Sequence, residues 1–181
     1  GTVALHLGGN QTDFLDSGGG ASVHSGVFHE IRRAWNTADT IWQKQKVGGR
    51  LPNALTYFYY AWNSQYLDQT CINLDIVLES LFAPHTAGET THQICFNISR
   101  FLSNSQDERK QLYSFFKKFY SVRSSVVHGG IPDQDQLVTV VSKAFPLVAG
   151  ILKSILLDAQ FAPVFSDESR RKRLLEDYLF Q

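Results

Sequence analysis

Beyond residue 26, apolar residues recur at three- and four-residue spacings, the period of helices that bury one face. Residues 27–45 place Phe28, Ile31, Ala34 with Trp35, Ala38, and Ile41 with Trp42 on one side, and Gly48-Gly49 stops the pattern. Pro52 suits a first helical turn. The period continues over 53–69 through Leu55, Phe58 with Tyr59, and Trp62, and an apolar run over 71–82 ends at Pro84. Thr86 and Glu89 have the spacing of a capping box ahead of a helix carrying Ile94, Ile98, Phe101 and Leu102. Ser105 and Glu108 repeat that device. They open the longest periodic stretch, in which Leu112, Phe115, Phe116, Phe119, Val122 and Val126 are expected inside. Gly129-Gly130 closes this helix and Pro132 bars its resumption. Residues 137–157 predict another helix that Pro146 kinks or breaks. Ser166 is placed to cap a last one over 167–180. The pattern therefore predicts an all-α bundle of about six or seven helices over 27–181.

Residues 1–26 differ. Two glycine clusters with Asn10, Asp13 and Ser17 predict a flexible segment. A short strand at Val3–Leu7 fits the tail of a preceding domain. The chain has no methionine, so it reads as a processed product or a piece of a longer protein.

A length of 181 residues, 43% of them apolar, suits one domain with a sizeable core. Thirteen Phe, seven Tyr and three Trp make that core rich in large rings. Acidic and basic residues balance at 17 each, so affinity for nucleic acid requires a local patch rather than a global field. Apolar runs such as 145–151 are too short to cross a bilayer, and no signal peptide opens the chain. Cys71 and Cys95 lie in apolar surroundings and read as two buried thiols in a reducing compartment, which implies a cytoplasmic protein. Without a secretory signal, the glycosylation patterns at Asn10 and Asn97 read as chance matches.

Much chemistry is excluded by absence. The sequence lacks a Cys/His cluster at zinc spacing, a phosphate-cradling Gly-Lys-Ser/Thr loop and a Gly-x-Ser-x-Gly elbow, so no metal or cofactor is expected. His24, His29 and His85 read as solvated, and His92 lies on a helix with no acidic partner at i+4. What remains is the pair Arg123 and His128, five residues apart on a helix that ends directly after the histidine.

The sequence Tyr120-Ser-Val-Arg-Ser-Ser-Val-Val-His-Gly-Gly130 resembles the HEPN superfamily (higher eukaryote and prokaryote nucleotide-binding domains). It is most similar to the Apea-like branch, whose Tyr-x-x-Arg-Ser-x-x-x-His-Gly motif ends a long helix. Upstream, residues 76–82 resemble the family's apolar helix with one glutamate, here Glu79. Residues 98–102, bearing Arg100, resemble its third helix. The resemblance spans about residues 50–160. It implies a HEPN-like helical bundle and a metal-independent endoribonuclease that cleaves RNA at a composite homodimer site. Such domains serve as effectors of larger defence or stress proteins, including antiviral and toxin–antitoxin systems. Arg123 and His128 would be the catalytic pair, with Glu79, Tyr120 and Ser124 supporting. Lys117 and Lys118, like the basic run 170–173, read as solvated faces, which become RNA contacts only where the fold sets them beside the groove.

The chemistry of the residue types is compatible with that implication. RNA carries its own nucleophile, the 2′-hydroxyl, so a site need only move protons and stabilise the crowded phosphate. Histidine titrates near neutrality, and in the last turn of a helix the macrodipole favours its protonated form. Arginine grips phosphate with a planar fork. Five residues nevertheless set the two side chains about 140° apart around the helix, which a two-fold partner would reconcile.

A second reading stays open. Arg123 pairs with Glu79 inside the fold, His128 satisfies terminal carbonyls, and the domain is a non-catalytic dimerisation or RNA/nucleotide-binding module regulating a partner domain. Ser124 favours it, because ribonuclease members of the superfamily often carry Asn, Asp or His directly after the arginine. Gly130 excludes close kinship with the toxin branch modified on a tyrosine two residues beyond the histidine.

Overall fold

The computed structural model describes residues 49–84, 90–130 and 133–178. Among them it forms seven helices and no strand: α1 (Arg50–Asn63), α2 (Leu67–Phe82), α3 (Thr90–Leu102), α4 (Gln106–Val127), α5 (Gln134–Leu157), α6 (Phe161–Phe165) and α7 (Glu168–Asp177). The all-α expectation holds. The segment 1–26, the helix expected over 27–45 and the capping box at Thr86–Glu89 lie outside the described residues.

Helix α2 is the hub. Ten of its sixteen residues are buried, and it packs against α1, α3, α4 and α5. A helix buried on most sides draws its stability from the packing of its neighbours. Its C-terminal end is pinned by aromatic contacts, with Phe82 edge-on to Phe101 of α3 at 5.4 Å and to Phe165 of α6 at 5.9 Å. At the α1 side of the bundle, Phe58 and Trp62 meet Phe145 of α5 at 5.3 and 5.5 Å. Cys71 and Cys95 are buried free thiols. Burial pushes both up to about 12, which leaves them unreactive at neutral pH.

Several boundaries differ from the expected ones, each for a local reason. The helix expected over 53–69 ends at Asn63, whose amide bonds back to the Tyr59 carbonyl. The Ser64 hydroxyl then both donates to the carbonyl and accepts from the N–H of Tyr66, closing a turn that lets α2 start at Leu67. The serine-capped start of α4 is also rearranged. Ser105 occupies the cap but makes no side-chain cap bond. The Ser103 hydroxyl takes that part, donating to Glu108 and accepting from the Ser105 N–H. Leu112, Phe115 and Val126 are only half-buried, while Phe116, Phe119, Tyr120 and Val122 are inside.

Pro146 does not break α5. The carbonyl that loses its bond belongs to exposed Ser142, where water can replace the missing N–H. By length and composition α5 is apolar enough to cross a membrane, although the runs within it looked too short. Ten of its residues, from Leu137 to Ile155, are instead buried in the bundle. The last helix is capped by Asp167, which accepts from the Arg170 N–H, rather than by Ser166, and it ends at Asp177. The basic run 170–173, expected to be a solvated face, contains Arg171 at 1% exposure.

The end of α4 follows the sequence closely. Gly130 donates to the Ser125 carbonyl at 2.8 Å and Gly129 to the Val126 carbonyl at 3.3 Å, the paired bonds of a Schellman stop. This requires the left-handed region at Gly129, where φ is +74°. A Cβ there would meet nothing within 4 Å, so Gly129→Ala should cost only the conformational term, about 1–2 kcal/mol. Urea midpoints should register that loss. An unchanged midpoint would mean the stop does not contribute to stability.

Candidate functional site

Helices α2 and α4 carry polar groups into their shared contact. On α2, Asp75 and Glu79 are one turn apart and therefore share a face. On α4, Tyr120 and Arg123 do the same. Arg123 Nε forms an ion pair with Asp75 Oδ2, and its Nη2 lies 3.8 Å from Glu79 Oε1. Asp75 has no exposed side-chain surface, whereas Arg123 is 28% and Glu79 41% exposed. The cluster thus runs from a sealed carboxylate outward to a half-open one.

Burial dominates its electrostatics. The Asp75 carboxyl is pushed up to about 7, first by loss of solvation and then by repulsion from Glu79. Arg123 and the Tyr120 hydroxyl oppose that rise by favouring the ionised form. Tyr120 is driven well above its usual range by burial and by the Asp75 charge. The Tyr120 hydroxyl and Arg123 Nε both lie against the Asp75 carboxylate, and these two contacts stand in for the water it has lost.

The expected residues fall into two groups. Arg123 and Glu79 pair, as the second reading expects, with Tyr120 beside them and Asp75 as a further member that sequence reasoning missed. Its signal was present: a carboxylate inside an apolar run, four residues before Glu79. Ser124, Lys117, Lys118 and His128 lie outside this cluster. His128 caps α4 through its backbone N–H, which donates to the Ser124 carbonyl at 3.1 Å, and its imidazole is exposed. Lys117 and Lys118 are exposed, with the Lys117 ammonium 5.9 Å from the Tyr113 ring. Arg100 sits over Phe96 at 5.4 Å and takes no part.

Comparison with protein-family models, with curated proteins and with solved structures finds no match. The chemistry must therefore be argued from the groups themselves.

Two carboxylates around one guanidinium leave little net positive charge facing inward, and Arg123 is oriented by its own chain. Its Nη1 lies outside both ion pairs. Among the described residues, no group of three or more His, Cys, Asp or Glu could hold a metal ion. The arrangement offers a fixed guanidinium, a carboxyl that changes protonation near neutrality, and a separate exposed imidazole at the helix end.

Proposed function

We propose that the chain is a HEPN-like domain that cleaves RNA without a metal, through the RNA's own 2′-hydroxyl, as the effector part of a larger defence or stress protein. The supporting observation is the division of labour along α4. Arg123 is anchored by Asp75 and Glu79, while His128 presents a free-standing imidazole at the helix end. His128 transfers the proton between the 2′-hydroxyl and the departing 5′-oxygen. Arg123 supplies a positioned charge to the phosphate through its uncommitted Nη1. Because the two side chains leave one helix in different directions, the Arg123 of one protomer works with the His128 of a second copy across a homodimer groove.

A second reading has an observation of its own. The guanidinium is already matched by carboxylates of the same chain, as it would be in a non-catalytic module that dimerises or binds RNA to regulate a partner domain.

Purified protein incubated with structured and unstructured RNA in EDTA separates the two. Cleavage leaving cyclic phosphate ends is expected, slowed at least about a hundredfold in His128→Ala. That substitution touches only an exposed side chain and should leave the fold intact. No cleavage by the unaltered protein, or equal cleavage by the variant, defeats the enzyme reading and leaves the module. A monomeric mass by light scattering removes the composite site.

A further inference from the structure

Although the protein's formal net charge is zero, its charges are not evenly spread. From Arg109 to Pro132 there is no aspartate or glutamate, while Arg109, Lys110, Lys117, Lys118 and Arg123 all fall in that stretch. The two acids of α4, Asp107 and Glu108, are confined to its first turn. Both are engaged there, Asp107 with Lys110 at 3.6 Å and Glu108 with the Ser103 hydroxyl. Arg123 directs its charge inward. The remaining lysines face solvent.

Lys110, Ser114, Lys117, Ser121, Ser125 and His128 follow one another at three- or four-residue steps, so they form one stripe along α4. All six are exposed, and Lys118 flanks them. The stripe extends about 27 Å at the helical rise and ends at the imidazole. Its serines are poorer helix formers than alanine or lysine on an exposed face, but they are short and leave the helix surface approachable. Beside the N-terminal half stands a ring platform. The exposed His92 of α3 meets Tyr113 edge-on at 5.4 Å, and Lys117 lies over the same tyrosine.

We infer that this stripe is a track for single-stranded RNA, with phosphates on Lys117 and Lys118, a base stacked on the exposed His92 ring that Tyr113 braces edge-on, and the strand leading to His128. Positive charge interleaved with ring faces and hydroxyls matches an unpaired strand, whose bases are free to stack on protein. A duplex offers only its phosphates. The inference rests on the RNA reading above and names the form of RNA and its path.

The test is fluorescence anisotropy with a labelled 2′-O-methyl oligouridine, which has no free 2′-hydroxyl to react, titrated in EDTA at several salt concentrations. Binding should weaken with salt. Lys117→Gln with Lys118→Gln should flatten the log–log salt slope by about 1.4, roughly 0.7 for each phosphate that is no longer neutralised. His92→Ala should weaken binding about tenfold with the slope kept, because stacking carries no counterion release. A double-stranded competitor of equal length should compete poorly. Absence of binding, variants that bind like the unaltered protein, or equal competition by duplex overturns the track. Binding through the lysines without any cleavage keeps the track and defeats the nuclease. Cleavage in EDTA that is indifferent to the two lysines does the reverse.

Discussion

Arg123→Ala should destabilise the domain by about 3 kcal/mol at pH 8 and by clearly less at pH 6. The reason lies in Asp75, whose carboxyl is raised from 3.8 to about 7, chiefly by burial. Between those two values the folded chain holds a proton that the unfolded chain has released. The stabilisation linked to this proton is complete below about pH 4 and disappears as pH rises through about 7, so stability falls across the window. At pH 8 the carboxylate is ionised, sealed from water, and opposed by Glu79. Arg123 is the cation paired with it. Without that partner the folded chain must bury an uncompensated charge or take up a proton against the solution. At pH 6 most Asp75 is already neutral, and less is lost. Urea midpoints at the two pH values measure the difference. Adding Asp75→Asn should recover most of the loss at pH 8 and flatten the Asp75 part of the pH profile. An Arg123→Ala cost equal at both pH values would refute this account.

The same cluster shows how far the sequence could be read. Spacing alone located α4, its inward Phe116 and Phe119, and its stop at Gly129, because helix period and left-handed glycine are local rules. The pairing of Arg123 with Glu79 was legible because an isolated carboxylate on an apolar helix needs a partner, and the two do meet. Asp75 was passed over because its neighbours Leu74, Ile76 and Val77 make the segment look uniformly apolar. Only the tertiary partner reveals why a carboxylate is tolerated there. The opposite error occurred at Arg171, which is one of four consecutive basic positions. A charge run on a short helix suggests solvent on every side, yet one residue in such a run can face the bundle. The turn at Ser64 was hidden for a related reason: a hydroxyl bonding to a backbone two residues away leaves no mark on hydrophobic period. His128 was legible as a helix end, but its separation from the Arg123 cluster followed from helical geometry rather than from the motif.

Arg171→Ala is expected to be at least as damaging, at about 3–5 kcal/mol, and without the pH dependence of the Arg123 variant. Helix α2 ends in carbonyls that have no partner within the helix. Arg171 Nη1 donates to the Leu81 and Ala83 carbonyls, each at 3.0 Å, while the Asn97 amide of α3 donates to the intervening Phe82 carbonyl at 3.0 Å. Three successive oxygens at the negative end of the central helix are thus satisfied by side chains from two other helices. Arg171 Nη2 also donates to Glu168 at 2.6 Å, and Glu168 accepts from Arg50 at 3.1 Å, tying the start of α1 to α7. Truncation strands two carbonyls, empties the space of a side chain that is 1% exposed, and releases α7 from the end of α2. Arg171→Met restores volume without donors and should recover only part of the loss. Arg171→Lys, with one point of charge in place of a fork, should also fall short of full stability. Unfolding midpoints for the three variants decide the matter. If Met restores full stability, the carbonyl contacts contribute nothing and packing alone secures the end of α2.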